Sequence, residues 1–401
     1  MNRLLLDLTH TSHTRAHTGV QRVCRSLHLA LRQRQGDQVL PLCHDGYENT
    51  WRPLRAWERR NLAPPRGATA GTRGSRWPLS AQLAGHLRRL LAARPSPGNP
   101  PTPLGGSVIE PEVFSAGVGR ALPGLLARVS GPRVAVFHDA IALKLPELSP
   151  LKTVTRFPVY LQELLGFDGV AAVSEDSRQS LVEYWQWLGV ERPPPVIVLS
   201  LGLEPPLPSP YGHTTAPNAT PVVLSVGSIE GRKNHLALLE ACETLWQRGL
   251  HFELRLVGLA HPDTGRAAVA RLRALQAAGR PVHDEGPVSE TGLHDAYRSC
   301  LFTVYPSLVE GFGLPVLESL SHGKPCICSS HGALGESARG GGCLALDRVD
   351  PSALARAIGN LLSDPERLEA LEHAARERTF KPWSAFADEL TAWMQTLARR
   401  A

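Results

Sequence analysis

Two glutamates in the second half of the chain, Glu310 and Glu318, have the spacing of a sugar-binding pair. They lie in residues 306–318, which read Pro-Ser-Leu-Val-Glu-Gly-Phe-Gly-Leu-Pro-Val-Leu-Glu. Each carboxylate can accept hydrogen bonds from two sugar hydroxyls, at different points along an extended ligand. A retaining glycosidase instead needs its two carboxyl groups only ~5 Å apart. The spacing therefore favours binding of a long ligand over hydrolysis; the simpler interpretation is a loop with a solvated acid at each end.

Two adjacent cations, Arg232 and Lys233, form a second candidate site. They lie in residues 227–234, which read Gly-Ser-Ile-Glu-Gly-Arg-Lys-Asn and precede a helix expected at 236–245, with Asn234 as a plausible N-cap. Positive charge at a helix N-terminus is unfavourable by ~0.3–1 kcal/mol per residue unless an anion is bound. This conflict predicts a bound diphosphate, with solvated surface charge as the alternative.

A histidine and an acid, His138 and Asp139, follow the apolar strand expected at 134–137. Side chains just beyond the carboxyl end of a parallel strand point into the crevice where such folds bind ligands. A lone histidine is usually structural, but the adjacent acid at the end of a strand indicates a functional pair.

Strands and helices alternate along the chain, which predicts an α/β fold of doubly wound parallel sheets. Around the two glutamates, an apolar run at 301–305 predicts a strand, Gly311 and Gly313 predict a loop, and Pro315 predicts the start of a helix. The amides of such a loop and helix N-terminus point outward and can bind an anion. Further strands are expected at 3–8, 38–42, 169–173, 196–199, 222–226, 252–257, 281–283, 325–328 and 343–346. Further helices are expected at 20–31, 79–91, 266–275, 293–297, 351–362, 365–375 and 383–397.

A proline-rich stretch divides this alternation into two halves. Residues 203–221 contain six prolines and no periodicity, as expected of an interdomain linker. We therefore predict a Rossmann-like domain at 1–203, a linker at 204–221, a second Rossmann-like domain at 222–380, and a terminal helix at 381–401.

Positive charge is concentrated in the first half. Residues 1–203 carry 24 Lys or Arg against 15 Asp or Glu, whereas the remainder carries 19 against 22. Residues 52–94 contain ten arginines and one acid, with tryptophans interleaved, and the helix at 79–91 places leucines opposite Arg88 and Arg89. Such a surface favours an anionic partner, either an acceptor or lipid headgroups. The alternatives are arginine-rich composition and an ordinary docked helix.

The composition is that of a globular protein without a membrane-spanning helix. Apolar residues make up 42% of the chain and charged residues 20%, and no apolar run approaches 18 residues. The run at 4–6 is too short for a signal peptide and reads as a buried first strand. Seven cysteines without CxxC spacing indicate reduced thiols and a cytoplasmic location. Cys326 and Cys328 face one side of an expected strand without completing a zinc spacing, and are expected in the core.

The glutamate segment resembles the signature of family 4 glycosyltransferases, which are retaining, nucleotide-sugar-dependent enzymes with two Rossmann-like domains facing a cleft, the GT-B fold. The Arg-Lys-Asn segment at 227–234 and the His-Asp pair resemble further elements of that family. Near the N-terminus, Asp7-Leu8-Thr9 and residues 18–23 (Thr-Gly-Val-Gln-Arg-Val) resemble enzymes of bacterial polysaccharide and O-antigen assembly, many of them mannosyltransferases or rhamnosyltransferases. The resemblance covers most of residues 1–395.

The resemblance implies a role for each matching residue. The two cations and the loop amides would hold the donor diphosphate, Glu318 the ribose, and Glu310 and His138 the sugar, while Asp139 is a candidate to receive the acceptor proton. The predicted catalytic residues are His138, Asp139, Glu310, Arg232 and Lys233. The predicted donor-binding residues are Gly19, Gly227, Ser228, Arg232, Lys233, Gly258, Val288, Glu310, Gly311, Phe312, Gly313, Leu314 and Glu318. The predicted acceptor or membrane contacts are Thr18, Gln21, Arg88 and Arg89. Gly19 is alternatively a simple turn glycine.

The function implied is transfer of a hexose or deoxyhexose, with mannose or rhamnose favoured, from a nucleotide diphosphate sugar such as GDP-mannose. The acceptor would be a glycan or a lipid-diphosphate-linked glycan of bacterial surface polysaccharide synthesis, including lipopolysaccharide, at the inner face of the inner membrane. No catalytic metal is expected, because no Asp-x-Asp is present. No cofactor and no nucleic-acid partner is expected either. Retention by same-face attack follows from the resemblance, with Glu310 as a double-displacement nucleophile the alternative. A nucleotide-sugar epimerase and a non-catalytic carbohydrate-binding or nucleic-acid-binding protein are the other candidates.

Overall fold

The first half of the chain forms one sheet around which helices pack. The computed structural model describes residues 3–16, 18–63, 77–91, 104–204 and 220–400. The strands of this sheet are β1 (Leu4–Asp7), β2 (Val39–Asp45), β3 (Thr50–Pro53), β4 (Ser107–Glu110), β5 (Arg133–Phe137), β6 (Gly169–Ala172) and β7 (Val196–Val198). Their order is β3-β2-β1-β4-β5-β6-β7, and all neighbours are parallel except β2 and β3.

The second half forms a wholly parallel sheet. Its strands are β8 (Val222–Val226), β9 (Glu253–Val257), β10 (Val282–Gly286), β11 (Phe302–Tyr305), β12 (Cys326–Ser329) and β13 (Cys343–Leu346). Their order is β10-β9-β8-β11-β12-β13. Strands are thus added on one side of β8 as far as β10 and on its other side from β11 onwards, so the order of strand addition reverses between β8 and β11. The first sheet has the corresponding reversal between β1 and β4. Ligands of doubly wound sheets bind outside the carboxyl ends of the strands at such switch points.

Helices connect the strands and cover the faces of both sheets. In the first half they are α1 (Thr9–Ser12), α2 (Gly19–Gln35), α3 (Ala56–Leu62), α4 (Leu79–Leu91), α5 (Ala116–Leu126), α6 (Ile141–Lys144), α7 (Leu151–Glu163) and α8 (Glu175–Trp187). In the second half they are α9 (His235–Gln247), α10 (Arg266–Ala277), α11 (Glu290–Ser299), α12 (Leu314–Ser321), α13 (Gly332–Ala338), α14 (Pro351–Ser363), α15 (Pro365–Arg376) and α16 (Trp383–Thr396). Among the residues that the structure describes, no helix is both long and apolar enough to cross a bilayer.

The expected architecture of two doubly wound sheets is confirmed, with one strand placed differently. The edge strand β3 pairs antiparallel to β2 through a hairpin whose last loop residue, Asn49, has a left-handed backbone (φ 48°). The tryptophan and arginine content of this stretch indicated a surface segment rather than a strand. This antiparallel edge strand was therefore not predicted.

Several short elements were not predicted, and for four of the unpredicted elements the length or composition explains why. Strand β4 has only four residues. Helix α5 contains Pro123 and three glycines, and α7 contains Pro158, all poor helix formers. Helix α13 has seven residues, two of them glycine. The linker at 205–219 and the arginines at 66, 73, 76 and 94 lie outside the described residues.

The last helix, α16, packs on the first sheet rather than on the second. Its residues Trp383, Phe386, Leu390 and Met394 join the cluster that packs α2 against β1. Just before this helix, the two segments that link the halves run side by side, since the Leu203 amide donates to the Lys381 carbonyl at 2.8 Å. The chain therefore passes between the two sheets twice.

Leu390→Ala tests this packing. Leu390 is fully buried, and truncating a buried leucine costs about 2–5 kcal/mol because it leaves a cavity. We expect faster hydrogen exchange of the α2 amides, with α9 in the second half unaffected. The exposed Gln395→Ala on the same helix is the matched control. Loss of protection in α9 instead would mean that α16 supports the second sheet.

Candidate active site

The loops that follow β8 and β11 lie side by side at the switch point of the second sheet. The amide of Leu308 in the second loop donates to the Arg232 carbonyl in the first at 2.9 Å. The β11 loop ends in α12, whose first residues follow Gly313 in a left-handed conformation (φ 95°). Both predicted phosphate-binding segments therefore face one crevice.

Three charged side chains meet in this crevice. Glu310 Oε1 accepts from Arg232 Nη1 and from Lys233 Nζ, both at 2.7 Å. Arg232 also pairs with Glu230 at 2.8 Å. Glu310 is 9% exposed and Lys233 7% exposed, so this cluster is almost shielded from water.

The cluster shifts the pKa of each member. Burial alone would raise the pKa of Glu310, but Arg232 and Lys233 outweigh it and lower this pKa to about 2. Burial lowers the pKa of Lys233, partly offset by Glu310. Lys233 Nζ also donates to Tyr305 Oη and lies 4.5 Å from the centroid of the Tyr305 ring. The carboxylate thus holds two cations in place at the point where a diphosphate was predicted.

Asn234 does not cap α9 with its side chain, contrary to the prediction. It occupies the N-cap position with a left-handed backbone (φ 58°) and makes no side-chain cap bond. Its amide group donates instead to the carbonyls of Pro306 at 3.2 Å and Val349 at 2.8 Å. Asn234 therefore ties the β8 loop to the β11 loop and so fixes the two cations relative to Glu310.

Glu318 is bound by a residue of the first half of the chain. Arg22 on α2 donates to its Oε1, and Tyr297 on α11 donates to its Oε2 at 3.0 Å. Burial would raise the pKa of Glu318, but Arg22 lowers it below its ordinary value. Sequence reasoning quoted Arg22 within a motif but assigned it no role, because the two residues lie 296 positions apart.

The β11 loop approaches the first sheet most closely at Gly311. A Cβ there would lie 2.1 Å from the His138 carbonyl oxygen, so only glycine fits. The Gly311 carbonyl accepts from Ser174 Oγ at 2.6 Å, and Ser177 Oγ donates to the His138 carbonyl at 2.9 Å. The predicted residues His138 and Gly311 are thus in direct contact across the crevice.

The histidine and acid after β5 have different surroundings. His138 is buried, and its Nε2 donates to the Pro111 carbonyl at 2.7 Å, which leaves Nδ1 as the acceptor nitrogen. Burial lowers the pKa of His138, so the ring is neutral. Asp139 is half-buried, accepts from the Ile141 amide at 3.0 Å, and acts electrostatically on Arg232.

The remaining predicted donor residues line the same edge of the second sheet. A Cβ on Gly258, after β9, would lie 2.0 Å from the Gly227 carbonyl, so the loops after β8 and β9 touch. Ser228 follows Gly227, and Val288 lies in the loop after β10. Phe312 and Leu314 pack partly against apolar residues of the first half. These residues therefore share one edge, with Gly258 and Val288 on the side of β9 and β10.

Gly19, Thr18 and Gln21 lie at the start of α2. A Cβ on Gly19 would meet nothing within 4 Å, so the protein itself does not require glycine there. Gln21 is buried and contacts His10 Nδ1 at 3.0 Å, while Thr18 Oγ1 donates to Gln21 Oε1. The open space beside Gly19 is consistent with a ligand contact and does not need the turn-glycine explanation.

Several arginines of the basic stretch at residues 52–94 form ion pairs that the sequence did not indicate. Arg52 pairs with Asp45 and Glu58, and Arg55 with Glu48. Arg88 also pairs with Glu48 at 2.8 Å. Acids before and within the stretch therefore neutralise part of its positive charge, and the contact of Arg88 with an acceptor or a membrane stays a prediction. Arg89 is exposed and has no ion pair within the described part of the chain.

Two clusters in the described residues have ligand types and distances that could suit a metal ion, and both already have partners. In the first (His13, Cys43 and Glu58), Glu58 accepts two bonds from Arg52 at 2.7 and 2.8 Å. The second cluster is Asp7, Glu110 and Glu112. In this second cluster, Asp7 accepts from the Thr9 amide at 2.9 Å, and Glu112 accepts from the amides of His10 at 2.6 Å and Thr11 at 2.7 Å. Burial and Asp7 raise the pKa of Glu110 well above its usual range.

The fold and crevice define the GT-B class. The structure superposes on sucrose-phosphate synthase from Thermosynechococcus elongatus with a TM-score of 0.68 over 98% of both chains, at 21% sequence identity. Residues 213–378 match the family model described as "Glycosyl transferases group 1". The match covers the segment that carries both glutamates and the Arg-Lys-Asn element, and it agrees with the resemblance to glycosyltransferases stated above.

Curated relatives match about half of the chain. A D-inositol 3-phosphate glycosyltransferase from Thermobispora bispora is 35% identical over 182 residues, 42% of this chain and 41% of that protein. The serotype-specific mannosyltransferase WbdA from Escherichia coli is 27% identical over 227 residues, 51% of this chain and 27% of that protein. The matches thus span less than half of these relatives' own lengths.

Glu310→Gln tests the charge cluster. Because the pKa of Glu310 falls from 4.5 to about 2 on folding, its charge contributes stability that is fully present above about pH 4.5 and is lost as the pH falls through about 2. The contribution is about 3 kcal/mol at pH 7 and roughly half of that at pH 3. Urea denaturation at pH 3, 5 and 7 should show that Glu310→Gln has a lower free energy of unfolding than the wild type at pH 7, and that this difference becomes smaller at pH 3.

The exposed Glu369→Gln in the same half is the control and should change stability little at any of these pH values. A Glu310→Gln difference that stays constant from pH 7 to pH 3 would mean that the carboxylate is not held ionised by its two cations.

Proposed function

We propose that this protein is a retaining glycosyltransferase that moves a hexose or deoxyhexose from a nucleotide diphosphate sugar to a glycan acceptor. The observation that carries the proposal is the convergence of Arg232 and Lys233 on Glu310, at the edge of the second sheet that faces His138. Two preorganised cations beside loop amides suit a diphosphate leaving group.

The donor would lie along the second domain. When its diphosphate enters, Arg232 and Lys233 exchange part of their contact with Glu310 for phosphate oxygens. Negative charge grows on the bridging oxygen as the sugar departs, and these cations stabilise that charge most in the transition state. Removal of one such preorganised donor typically costs ~10²–10³-fold in kcat. The sugar would then lie between Glu310 and His138, and Asp139 would receive the acceptor proton.

Ribose binding at Glu318 requires an exchange of partners. Both carboxylate oxygens of Glu318 are engaged, by Arg22 and by Tyr297. Ribose hydroxyls would replace Arg22, freeing a guanidinium from the first half of the chain beside the donor. Donor binding would thus be coupled to the contact between the two halves.

The proposal also names the transferred sugar and the acceptor. The mannosyltransferase relative WbdA favours mannose, with rhamnose as the close alternative, and GDP-mannose as donor. The acceptor would be a lipid-diphosphate-linked glycan of bacterial surface polysaccharide synthesis. The protein would act in the cytoplasm, as a peripheral protein at the inner face of the inner membrane, without a cofactor or metal.

Helix α4 is the element that would contact the membrane. Its leucines 79, 83 and 87 are 77%, 66% and 59% exposed, and they repeat every four residues along one face. Arg89 is exposed on the same helix. Exposed leucines beside a cation suit the headgroup region of an anionic bilayer.

A thermal-shift screen of GDP, UDP, dTDP, ADP and their sugars tests the donor site. A nucleotide at about 100 times its Kd adds about 2.7 kcal/mol of stability. We expect one nucleotide family to stand out and to lose its effect in Glu318→Ala, but not in the exposed Glu369→Ala. Absence of any shift would contradict the proposal, and turnover of the donor sugar without an acceptor would identify an epimerase.

Vesicle flotation tests the membrane contact. Removing two leucines that enter the headgroup region should weaken binding to anionic vesicles at least tenfold, since each buried leucine contributes about 1.5–3 kcal/mol. The variant is Leu83→Ser with Leu87→Ser, and Arg89→Glu should weaken binding further. The control is Leu151→Ser, an equally exposed leucine on α7. Equal binding of all variants, or equal binding to neutral vesicles, would exclude α4 as the contact.

A further inference from the structure

Three of the seven cysteines lie together on one face of the second sheet. Cys326 and Cys328 alternate on β12, so their side chains point to the same side. Cys343 begins β13, the neighbouring edge strand, and is paired in register with Cys326. Cys326 and Cys328 belong to the apolar cluster that packs beneath α12, and Cys343 packs against that cluster. Because residues paired in register point to the same face, the three thiols are neighbours.

The spacing of the strands selects one pair of these thiols for a disulfide. Paired Cα atoms on neighbouring strands are about 4.8 Å apart, which is within the ~4.4–6.8 Å of disulfides, and this applies to Cys326 and Cys343. Cys328 lies two residues further along its strand, so its Cα is about 8 Å from that of Cys343, beyond the ~7 Å limit. Two residues of one extended strand, such as Cys326 and Cys328, are about 6.6 Å apart, near the upper end of that range. Cys326 and Cys343 can therefore join with the least movement of the backbone.

Cys343 is the thiol of this cluster that a reagent can reach and that ionises most readily. It is half-buried, whereas Cys326 and Cys328 are fully buried. Hydrogen bonds from the thiols of Cys326 and Cys328 outweigh burial and lower the pKa of Cys343, and Arg378 lowers this pKa further. In the four cysteines outside the cluster, burial raises the pKa; these are Cys24, Cys43, Cys242 and Cys300. The thiolate, which is the nucleophilic form, is therefore concentrated at Cys343.

The segment before Cys343 carries no side chains of its own. Residues 340–342 are all glycines, with left-handed backbones (φ 96°, 94° and 79°). Arg378 donates to the carbonyls of Ser337 at 3.0 Å and Gly341 at 3.3 Å, which holds its guanidinium beside this segment. A neighbouring guanidinium stabilises a thiolate, and such partly exposed, electropositive surroundings are typical of reactive cysteines.

The thiols lie beneath α12, the helix that carries Glu318. A Cβ on Gly342, just before β13, would be 2.6 Å from a methyl carbon of Leu320 on this helix. The start of β13 and α12 are thus in direct contact. A covalent change at the start of β13 would therefore be made next to the proposed donor site.

We propose that Cys343 is a site of reversible oxidation, at which a peroxide converts Cys343 and Cys326 into a disulfide. This inference is independent of the proposed transferase function. The Cys343 thiolate attacks one peroxide oxygen, so that an S–O bond forms and the O–O bond breaks. The sulfur is oxidised by two electrons to a sulfenic acid, and the second oxygen leaves as hydroxide, which takes up a proton to give water.

The second step closes the disulfide. The Cys326 thiol attacks the sulfenic sulfur of Cys343, so that the S–S bond forms and the S–O bond breaks. The hydroxyl group leaves as water together with the proton of Cys326. A dithiol reductant reverses the change by thiol–disulfide exchange and is itself oxidised to a disulfide.

Peptide mapping of the full chain after treatment with hydrogen peroxide tests the pairing. Trypsin separates the two cysteines, because it leaves Cys326 in residues 299–339 and Cys343 in residues 340–348. We expect a cross-link between these two peptides that dithiothreitol releases. The cross-link should be lost in Cys343→Ser and in Cys326→Ser. It should persist in Cys300→Ser, the matched control, since this fully buried cysteine lies in the same peptide as Cys326.

Two further measurements test Cys343 as the attacking thiol. At pH 6, iodoacetamide should label Cys343 at least about tenfold faster than Cys328, because the thiolate is the reactive form. In Cys326→Ser, which lacks the second thiol, peroxide should leave a sulfenic acid on Cys343 that dimedone captures.

Three outcomes with the wild-type protein would overturn the proposal, and none of them depends on the folding of a variant. They are the absence of any cross-link, a disulfide between Cys326 and Cys328 within one peptide, and labelling of Cys343 no faster than that of Cys328. A cross-link that persists in Cys326→Ser and is lost in Cys328→Ser would also contradict it, since Cys328 would then be the partner.

Discussion

The positions of the charged groups in the crevice depend on the balance of charge around one buried carboxylate, that of Glu310. Glu310 is 9% exposed and has two cations within 2.7 Å. Burying any of these groups alone would be costly, so each needs the others. Glu310 thus keeps Lys233 and Arg232 together at the position proposed for the donor diphosphate. The glycines, Asn234 and the paired loops all serve to keep these groups within reach of one another.

The contacts between the two halves of the chain cluster around the same crevice. Gly311 meets the His138 carbonyl, Arg22 reaches Glu318, and the Glu336 carboxylate accepts the first amides of α8 at 2.8 and 2.9 Å. A carboxylate at a helix N-terminus is a favourable pairing, because the helix dipole is positive there. The proposed donor site and the contact between the two halves therefore share Glu318 and Gly311.

Local patterns in the sequence predicted most of the fold, because buried parallel strands and amphipathic helices carry strong periodicity. The elements missed were short or rich in proline and glycine, as in α5, where packing overrides propensity. Within the site, the Glu310 and Arg232–Lys233 segments were predicted from their local chemistry, and the structure brings them together. The Arg22–Glu318 pair, the hydrogen bonds of Asn234 and the acids that neutralise Arg52 and Arg55 depend on tertiary contacts, which no local pattern contains.

The two segments that join the halves are hydrogen-bonded to each other where they pass, between Leu203 and Lys381. Gly202 lies against the backbone of Trp383 at the same place, where a Cβ would be 2.6 Å from the Trp383 Cα. Two connections that are tied to each other leave the halves less freedom to rotate about one another than a single linker would. The register between the charged groups on the two facing surfaces therefore depends on this crossing point as well as on the crevice itself.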